Sequence, residues 1–338
     1  MKKSIFCFIL IILIAMPGFS QIADISDFTP EMVSDLMDEF TGNLGKSLPF
    51  NSSLGLNWSD ASIGKFPHFG VGFALGFSTM ELGAMDELVK LFAPSLPSWL
   101  SGFGGFPIPG YSIEARLGGF VIPFDIGFKF GYLPFTSEKN NIEEFNYFNI
   151  GGDIRISLFD IFLKDNEKLL NAFPKLSFGI GYNHLSGGLG LSAATSDKVY
   201  VYDEDNQKKI TVKAPQFNLD WETNSMDFTL QLSKKIAFFT PYFGIGLSNG
   251  WSSAGYSVKT EIEDSEGNLE AVRPYFEEYG IMDLSEYGFS SSQEFSGFSS
   301  RLFTGFSLAA KFVIFDFTYL YNFIDKNYGV SFGIRVQM

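Results

Sequence analysis

From His68 to the end of the chain, large apolar residues alternate with small or polar ones. In residues 69–77 the odd positions are Phe, Val, Phe, Leu and Phe, and the even positions are Gly or Ala. Later segments place Ser, Asn, Asp, Lys or Arg at the second set of positions. Side chains of a β-strand point alternately to opposite faces, so the pattern predicts strands with one apolar face. Ten such strands are predicted, beginning near residues 68, 111, 124, 148, 176, 227, 239, 301, 315 and 328.

The connections between these segments alternate in length. Short joins near 120–123, 234–237 and 313–314 separate long ones at 81–109, 187–214 and 252–297, and a hairpin is predicted within residues 198–213. Bacterial membrane barrels have short periplasmic turns and longer outer loops, and lipid requires every backbone polar group to be paired. We therefore predict an all-β, antiparallel up-and-down transmembrane barrel over residues 50–338. The alternating segment 53–59 is a further candidate strand, and since these barrels have an even number of strands, twelve is the alternative count.

The N-terminal region has a different character. A signal peptide is predicted over residues 1–20, from two lysines, an apolar run over residues 5–16 and small residues at 18 and 20. The apolar run is too short to span a bilayer as a helix. Residues 21–49 contain a predicted short helix with one apolar stripe, formed by Val33, Leu36, Met37 and Phe40. We expect this helix near the periplasmic mouth of the barrel, as a flap or a plug that is either simply packed there or a moving gate.

Composition agrees with a membrane barrel. The mean hydropathy is +0.11, and the chain contains 40 Phe and 35 Gly, an unusual mixture for a soluble core. The net charge is −14, and without Lys2 and Lys3 22 basic residues face 38 acidic ones, a balance that repels nucleic acid. The single cysteine, Cys7, lies in the predicted signal peptide, so no disulfide is expected.

The chain resembles bacterial outer-membrane β-barrels as a class. It shares with them a signal peptide, alternating strands, asymmetric connections and a terminal strand, here residues 328–338. In having a helix before a Phe-rich barrel, the chain is similar to fatty-acid and small-hydrophobe transporters. The resemblance implies an outer-membrane location, with outer-membrane lipid and the barrel-assembly machinery as partners. Members of the class usually end in an aromatic residue, whereas this chain ends in Met338, with Phe332 the nearest aromatic residue.

Charged side chains on the second face of the strands are predicted to line the lumen. A barrel of about ten strands is only slightly wider than one filled by its own side chains. Two interpretations follow, either a network of charges paired with each other or a selective polar pore. The predicted lumen-lining residues are Glu114, Arg116, Asp125, Lys129, Asp153, Arg155, Asp227, Arg301, Lys311, Asp316 and Arg335.

The connection over residues 81–110 is unusually apolar for a loop in water. Exposed apolar residues usually contact something, so the loop is either a lid over an apolar site or a segment resting on lipid or other loops. The favoured function is passive passage or capture of small solutes, for which this apolar loop suggests hydrophobic molecules as one class. The alternative is a surface-exposed structural or adhesive protein acting through its long outer loops. The candidate hydrophobic-ligand residues of this loop are Leu88, Phe92, Trp99, Phe103 and Phe106.

Catalytic motifs are sparse. His184-Leu185-Ser186 is similar to the His-x-Ser pair of outer-membrane lipid A deacylases, but Asn183 and Gly187 do not complete that motif. The sequence contains no Walker motif, dinucleotide fingerprint or cluster of metal ligands. We therefore expect no enzymatic activity, cofactor or metal site.

Overall fold

The computed structural model describes residues 30–64, 66–81, 105–119, 122–137, 142–162, 173–192, 199–203, 208–212, 216–259, 262–264 and 288–338. The predicted signal peptide and the ligand candidates Leu88, Phe92, Trp99 and Phe103 lie outside these residues. Phe106 is the first residue of a strand.

Ten antiparallel strands form a closed barrel, which confirms the predicted fold class and strand number. Going round the barrel, each strand pairs with the two beside it, and the last strand pairs with the first. The ten barrel strands are β1 His68–Met80, β2 Phe106–Gly118, β3 Phe124–Ser137, β4 Ile142–Ser157, β5 Lys175–Ser192, β8 Gln216–Ser233, β9 Phe239–Lys259, β11 Gly288–Ala310, β12 Val313–Asn322 and β13 Tyr328–Gln337.

A separate three-stranded sheet is formed by β6 Val199–Asp203, β7 Lys208–Val212 and β10 Ile262–Asp264. The pairing of β6 with β7 is the hairpin predicted from the sequence. The count of twelve strands was wrong, because residues 53–59 form no strand. They run inside the barrel, where their alternation reflects contacts with the wall.

The outer face of the barrel is apolar. Phe128 and Phe332 are 50% and 58% exposed there, beside many Ile, Leu and Val side chains. On β1 the outward apolar residues extend from Phe69 to Phe77. Eight steps of about 3.3 Å on a strand tilted by roughly 40° give an apolar band about 20 Å tall, close to that of membrane barrels. The chain thus has the fold of a transmembrane β-barrel.

The two ends of the barrel differ. We call the end with the short turns, where β1 begins and β13 ends, the turn end, and the opposite end the loop end. The helix α2 Leu158–Phe162 lies at the turn end. The other described helix is α1 Pro30–Ser52, and neither helix is both long and apolar enough to cross a membrane.

The strands differ in height at the loop end. β9 and β11 contain 21 and 23 residues, whereas β12 and β13 contain 10 each. Several strands therefore extend further toward the loop end than predicted, since residues 187–192, 252–259 and 288–297 are strand rather than loop. The reason is that the outward residues become polar there, as with Asp220 and Glu222 of β8.

The helix α1 lies inside the barrel, in the half of the lumen nearer the loop end. Asn51 donates a hydrogen bond to Ser78 Oγ (2.8 Å), and Asn327, beside the last loop-end turn, donates one to Ser47 Oγ (3.2 Å). The helix also packs against β8, β9 and β11. We predicted this helix near the periplasmic mouth, as a flap or a plug, whereas α1 lies inside the lumen and nearer the loop end than the turn end. An apolar stripe predicts a buried face, but it does not say which end of the barrel has a matching apolar lining.

Candidate functional site

Residues 53–64, which we call the strap, connect α1 to β1 through the half of the lumen nearer the turn end. The strap turns at Gly55 and Leu56, which have φ values of 89° and 56°. A Cβ at Gly55 would lie 2.6 Å from Ser112 Oγ and 2.8 Å from Glu114 Oε1. Glycine at this position therefore allows both the turn and the close approach of the strap to β2.

A cluster of paired charges surrounds Asp125 in this lower half of the lumen. Arg116 Nη1 lies 2.6 Å from Asp125 Oδ1, and Arg155 Nη2 lies 2.7 Å from Asp125 Oδ2. Arg116 also reaches Asp153 at 2.9 Å. The side chains of Arg116 and Asp125 are fully buried. Two arginines and two aspartates balance in charge, which reduces the cost of removing them from water.

Further ion pairs lie along the wall of the lumen. Arg301 Nη2 lies 2.5 Å from Asp227 Oδ2. Arg335 lies 3.1 Å from both Asp316 Oδ2 and Asp60 Oδ2. Since Asp60 belongs to the strap, this last ion pair joins the strap to the barrel wall.

The strap is also held by Glu114. This carboxylate accepts hydrogen bonds from the Leu56 amide at 2.7 Å and from Trp58 Nε1 at 2.6 Å. The guanidinium carbons of Arg335 and Arg116 lie 4.5 Å and 5.5 Å from the centre of the Trp58 ring. Trp58 is thus fixed by a charged acceptor and two cation–π contacts.

Lys129 joins the strap to the helix. Its Nζ donates hydrogen bonds to the carbonyls of Ser52 (2.5 Å) and Leu54 (2.8 Å). These carbonyls lie at the C-terminal end of α1, where a cation stabilises the unpaired carbonyls and the negative end of the helix dipole. Lys129 is therefore part of the support for α1.

The structure brings ten of the eleven predicted lumen residues into the lumen, and Lys311 is the exception. Lys311 is exposed in the turn between β11 and β12, with a φ of 59°. Its placement was wrong because β11 ends at Ala310, one residue before it. The other ten pair with each other, with the strap or with α1. Cavities of about 40 and 20 Å³ remain between the strap and the wall, room for a few water molecules at most.

The upper half of the lumen, nearer the loop end, is apolar. Four α1 side chains, Met37, Phe40, Leu44 and Leu48, fill a space that we call the chamber. Its wall comes from six strands, and most of its side chains are large. The wall residues of the chamber are Met80, Ile108, Phe145, Tyr147, Leu185, Leu219, Ala254 and Tyr256.

Sequence reasoning missed most of the chamber wall. Ile108 and Tyr256 lie in segments that were predicted as long connections, and Leu219 lies before the predicted start of its strand near residue 227. The signal that was present is the alternation of Phe217, Leu219 and Trp221 on the inward side with polar residues on the outward side. Such reversed amphipathicity is expected where a barrel wall extends beyond the membrane.

His184 and Ser186 alternate with the inward Leu185 and therefore face outward. His184 Nδ1 lies 3.0 Å from Asn224 Oδ1, an atom that also accepts a hydrogen bond from the Tyr182 hydroxyl at 2.7 Å. These residues are neighbours across the β5–β8 ladder. Within the described part of the chain, no three His, Cys, Asp or Glu side chains are arranged to hold a metal ion.

Fold and lumen together define the class of protein: a transmembrane β-barrel with a polar half packed around a strap and an apolar half filled by a helix. The chain belongs to a family of unknown function, DUF6588, whose sequence profile matches residues 118–337. No curated protein matches the sequence significantly.

Solved structures with related barrels are distant in sequence. A Pseudomonas aeruginosa FadL homologue is 11% identical, with a TM-score of 0.35 over 76% of this chain, which spans 60% of the homologue's length. The translocator domain of the autotransporter NalP from Neisseria meningitidis is 8% identical, with a TM-score of 0.38 over 90% of this chain and 96% of that domain. The Ralstonia pickettii toluene transporter TbuX is 7% identical, with a TM-score of 0.26 over 93% of this chain and 99% of TbuX.

Proposed function

We propose that this chain is an outer-membrane protein that captures small apolar molecules in the chamber, without catalysis. The observation that carries the proposal is that the apolar wall of the chamber is covered by side chains of a separate helix. Met37, Phe40 and Leu44 occupy the space that a ligand would take. Burial of each such side chain contributes roughly 1.5–3 kcal/mol, so an apolar ligand of similar size could replace part of the helix face.

The polar contacts of α1 with the wall are concentrated at its C-terminal end, where Asn51 donates to Ser78 Oγ and Lys129 donates to the Ser52 carbonyl, whereas its stretch from Met37 to Leu48 lies mainly against apolar side chains. Gln293 Nε2 donates to the Asp38 carbonyl and Asn327 Nδ2 to Ser47 Oγ, each at 3.2 Å. The Thr41 hydroxyl donates to the Met37 carbonyl of its own helix. A helix held mainly by apolar contacts exchanges them for those of a ligand more readily than one held by buried ion pairs. This favours capture with displacement of α1.

The packed lower half favours capture over free passage through the lumen. A solute that crossed the whole barrel would have to displace the strap from Glu114 and Arg335. We accordingly expect no conductance steps when the refolded protein is inserted into planar bilayers.

Binding of the apolar fluorescent probe N-phenyl-1-naphthylamine to the refolded protein tests capture. Ala254, a buried wall residue, is replaced by Trp, which fills part of the chamber. The matched control is Ser253→Trp on the same strand, whose side chain points outward. We expect Ala254→Trp to weaken probe binding and Ser253→Trp to leave it unchanged, with both variants folded by the heat-modifiable gel shift. Equal binding by the two variants would place the probe elsewhere and contradict the proposal.

A second candidate is a surface-exposed structural or adhesive role. It is supported by β8, β9 and β11, which rise above the apolar band with polar outward residues such as Asp220 and Ser292. The two functions differ in their response to deletion. Capture predicts that removing either residues 81–109 or residues 21–47 alters solute uptake, whereas adhesion predicts effects from the outer loops alone.

A further inference from the structure

Two buried asparagine side chains border the chamber on the side of the charged lower half. The Asn51 amide of α1 donates hydrogen bonds to Ser78 Oγ at 2.8 Å and to the carbonyl of Ile108, a wall residue of the chamber, at 3.2 Å. The Asn149 amide of β4 donates to the hydroxyl of Tyr147, another wall residue, at 3.2 Å. Both asparagines are 1% exposed. We call these two side chains the floor of the chamber.

The floor lies at the level of Lys129. Asn51 precedes Ser52, whose carbonyl accepts a hydrogen bond from Lys129 Nζ. Asn149 is two residues from Gly151, which pairs with Lys129 in the ladder between β3 and β4. A Cβ at Gly151 would lie 2.9 Å from Lys129 Cε. The floor therefore separates the apolar chamber from the charged groups of the lower half.

The oxygen atom of each floor amide has no hydrogen-bond partner among the residues that the structure describes. The orientation of both amides is fixed by their neighbours. A carbonyl only accepts, so the nitrogen of Asn51 faces the Ile108 carbonyl. The Tyr147 hydroxyl donates its one hydrogen to the Tyr111 carbonyl, so the nitrogen of Asn149 faces this hydroxyl. In both amides the atom without a partner is therefore an acceptor.

A buried acceptor without a donor is costly. Native proteins pair nearly all buried polar groups, because an amide oxygen that leaves water without gaining a hydrogen bond destabilises the folded state. A ligand that brings a donor to the floor removes this cost, whereas a ligand without a donor leaves it in place. The floor thus distinguishes between apolar ligands by their hydrogen-bonding group.

The surroundings of the floor favour a neutral donor over a charged group. The C-terminal end of α1 brings the negative end of the helix dipole and the carbonyls of Ser52 and Leu54, which Lys129 already binds. A carboxylate at this place would face those carbonyls and the two amide oxygens. An ammonium group would lose its hydration in the apolar chamber. A hydroxyl donates a hydrogen bond and carries no charge.

Asn149 is the floor residue that a ligand in the chamber reaches without movement of the wall. One of its neighbours across the ladders is Leu185, which belongs to the chamber wall. The other is Gly131, which has no side chain. Since Asn149 belongs to the wall, it stays in place when a ligand displaces apolar side chains of α1.

We propose that the chamber selects apolar molecules with a hydroxyl at one end, and that this hydroxyl donates a hydrogen bond to Asn149 Oδ1. The inference rests on the proposed capture function and names its substrate class. A medium-chain primary alcohol has this chemistry. Its apolar body takes the place of side chains such as Phe40 and Leu44, and its hydroxyl lies at the floor.

Competition between matched ligands tests the inference. 1-Octanol and 1-methoxyheptane are isomers, but only the alcohol has a hydrogen-bond donor. Each ligand displaces N-phenyl-1-naphthylamine from the refolded protein, and octanoate at about pH 8 represents an ionised carboxylate. We expect the wild-type protein to bind 1-octanol about tenfold more tightly than the ether, and octanoate more weakly than 1-octanol.

Asn149→Leu removes the acceptor and nearly keeps the size of the side chain. The preference for the alcohol over the ether should disappear, because only the alcohol loses a hydrogen bond. The matched control is Asn146→Leu on the same strand, whose amide lies on the outer face and donates to Glu144 Oε1 at 2.5 Å. This control should keep the preference. The ratio of the two affinities is compared within each variant, so uptake of ligand by detergent cancels.

The wild-type comparison requires no variant, and it decides the matter if Asn149→Leu fails to fold by the heat-modifiable gel shift. Equal affinity for the alcohol and the ether, with the probe displaced by both, overturns the preference for a hydroxyl and leaves capture of apolar molecules intact. Tightest binding by octanoate does the same. A preference that survives Asn149→Leu overturns the assignment of Asn149. If the wild-type protein binds no probe, the capture function fails, and this inference fails with it.

Discussion

In the lower half of the lumen, buried arginines pair with aspartates and hold the strap against the wall. In the upper half, residues 37–48 of the helix lie mainly against apolar side chains, and the polar contacts of the helix are concentrated at its C-terminal end. The strap contributes Asp60 to an ion pair, and two of its groups donate hydrogen bonds to Glu114. The helix contributes Met37, Phe40, Leu44 and Leu48 to the apolar cluster.

The difference matters because the two kinds of filling respond differently to a competitor. Breaking a buried ion pair leaves an uncompensated charge, whereas an apolar contact can be exchanged for another apolar contact at little cost. The lower half is therefore suited to stay closed, and the upper half is suited to exchange its helix for a ligand. The predictions below test this contrast, from the largest expected effect to the smallest.

The ion pairs around Asp125 should make the largest contribution to stability. Asp125→Asn leaves Arg116 and Arg155 without a shared carboxylate, and we expect the free energy of unfolding to fall by about 3–5 kcal/mol. Urea titration followed by the heat-modifiable gel shift measures this change. The control is Asp153→Asn, which removes a partly exposed carboxylate that pairs with Arg116 alone. If Asp125→Asn lowers the free energy of unfolding no more than Asp153→Asn does, the ion pairs around Asp125 do not make the contribution to stability that we assign to them.

Shortening a buried side chain of α1 should loosen the contact of the helix with the barrel wall without unfolding the barrel. Leu48 is fully buried, and Leu48→Ala should weaken docking of α1 by about 2–4 kcal/mol. Hydrogen exchange of the α1 amides should become faster while amides of β9 and β11 keep their protection. The half-buried Leu36 provides the matched control, since Leu36→Ala should have a smaller effect. Simultaneous loss of protection in helix and barrel would show that α1 is not an independently movable element.

Tyr147 provides a sharper test inside the upper half. Tyr147→Phe removes the hydroxyl that hydrogen-bonds the Tyr111 amide and carbonyl, and we expect a cost of about 1–3 kcal/mol if both groups lose this partner. The Tyr111 amide should exchange its hydrogen faster. Tyr182→Phe is the control, because its hydroxyl binds Asn224 on the outer surface. An unchanged exchange rate at Tyr111 would show that the Tyr147 hydroxyl does not hold this part of β2.

The fold could be predicted from the sequence because its determinants are local. In segments such as residues 124–132, the alternation of apolar and polar residues shows which face of the strand meets lipid. The ten strands could be predicted from this alternation. The lumen residues Arg116, Asp125 and Arg335 were also found, since inward charges stand out against outward Phe and Ile.

The position of α1 and the chamber could not be predicted in the same way. Both depend on pairs of residues far apart in sequence, such as Ser47 with Asn327 and Phe40 with its apolar surroundings. The upper parts of β8, β9 and β11 have a polar outer face, so the pattern that identifies strands in lipid disappears there.

Asp160 offers the mildest test, at the turn end below the charged network. Burial by itself would raise the pKa of this carboxyl, but hydrogen bonds from Lys175, Ser157 and Ser62 outweigh burial and hold the pKa below its usual value. A carboxyl with a lowered folded-state pKa stabilises the protein above its unfolded pKa of about 4, and the stabilisation is lost as the pH falls through the folded value.

The stability difference between wild type and Asp160→Asn should therefore be constant above about pH 5, amount to about 1 kcal/mol or less for this partly exposed group, and shrink as the pH falls below about 4. Urea midpoints of the two proteins between pH 3 and pH 7 measure it. Ser62 belongs to the strap, so Ser62→Ala is made in the wild-type protein and in Asp160→Asn. The comparison separates the stability that comes from the strap contact from the stability that comes from the ion pair with Lys175. A difference that grew on acidification would mean that Asp160 is held protonated, and the strap would then be joined to α2 through a neutral carboxyl rather than through a carboxylate.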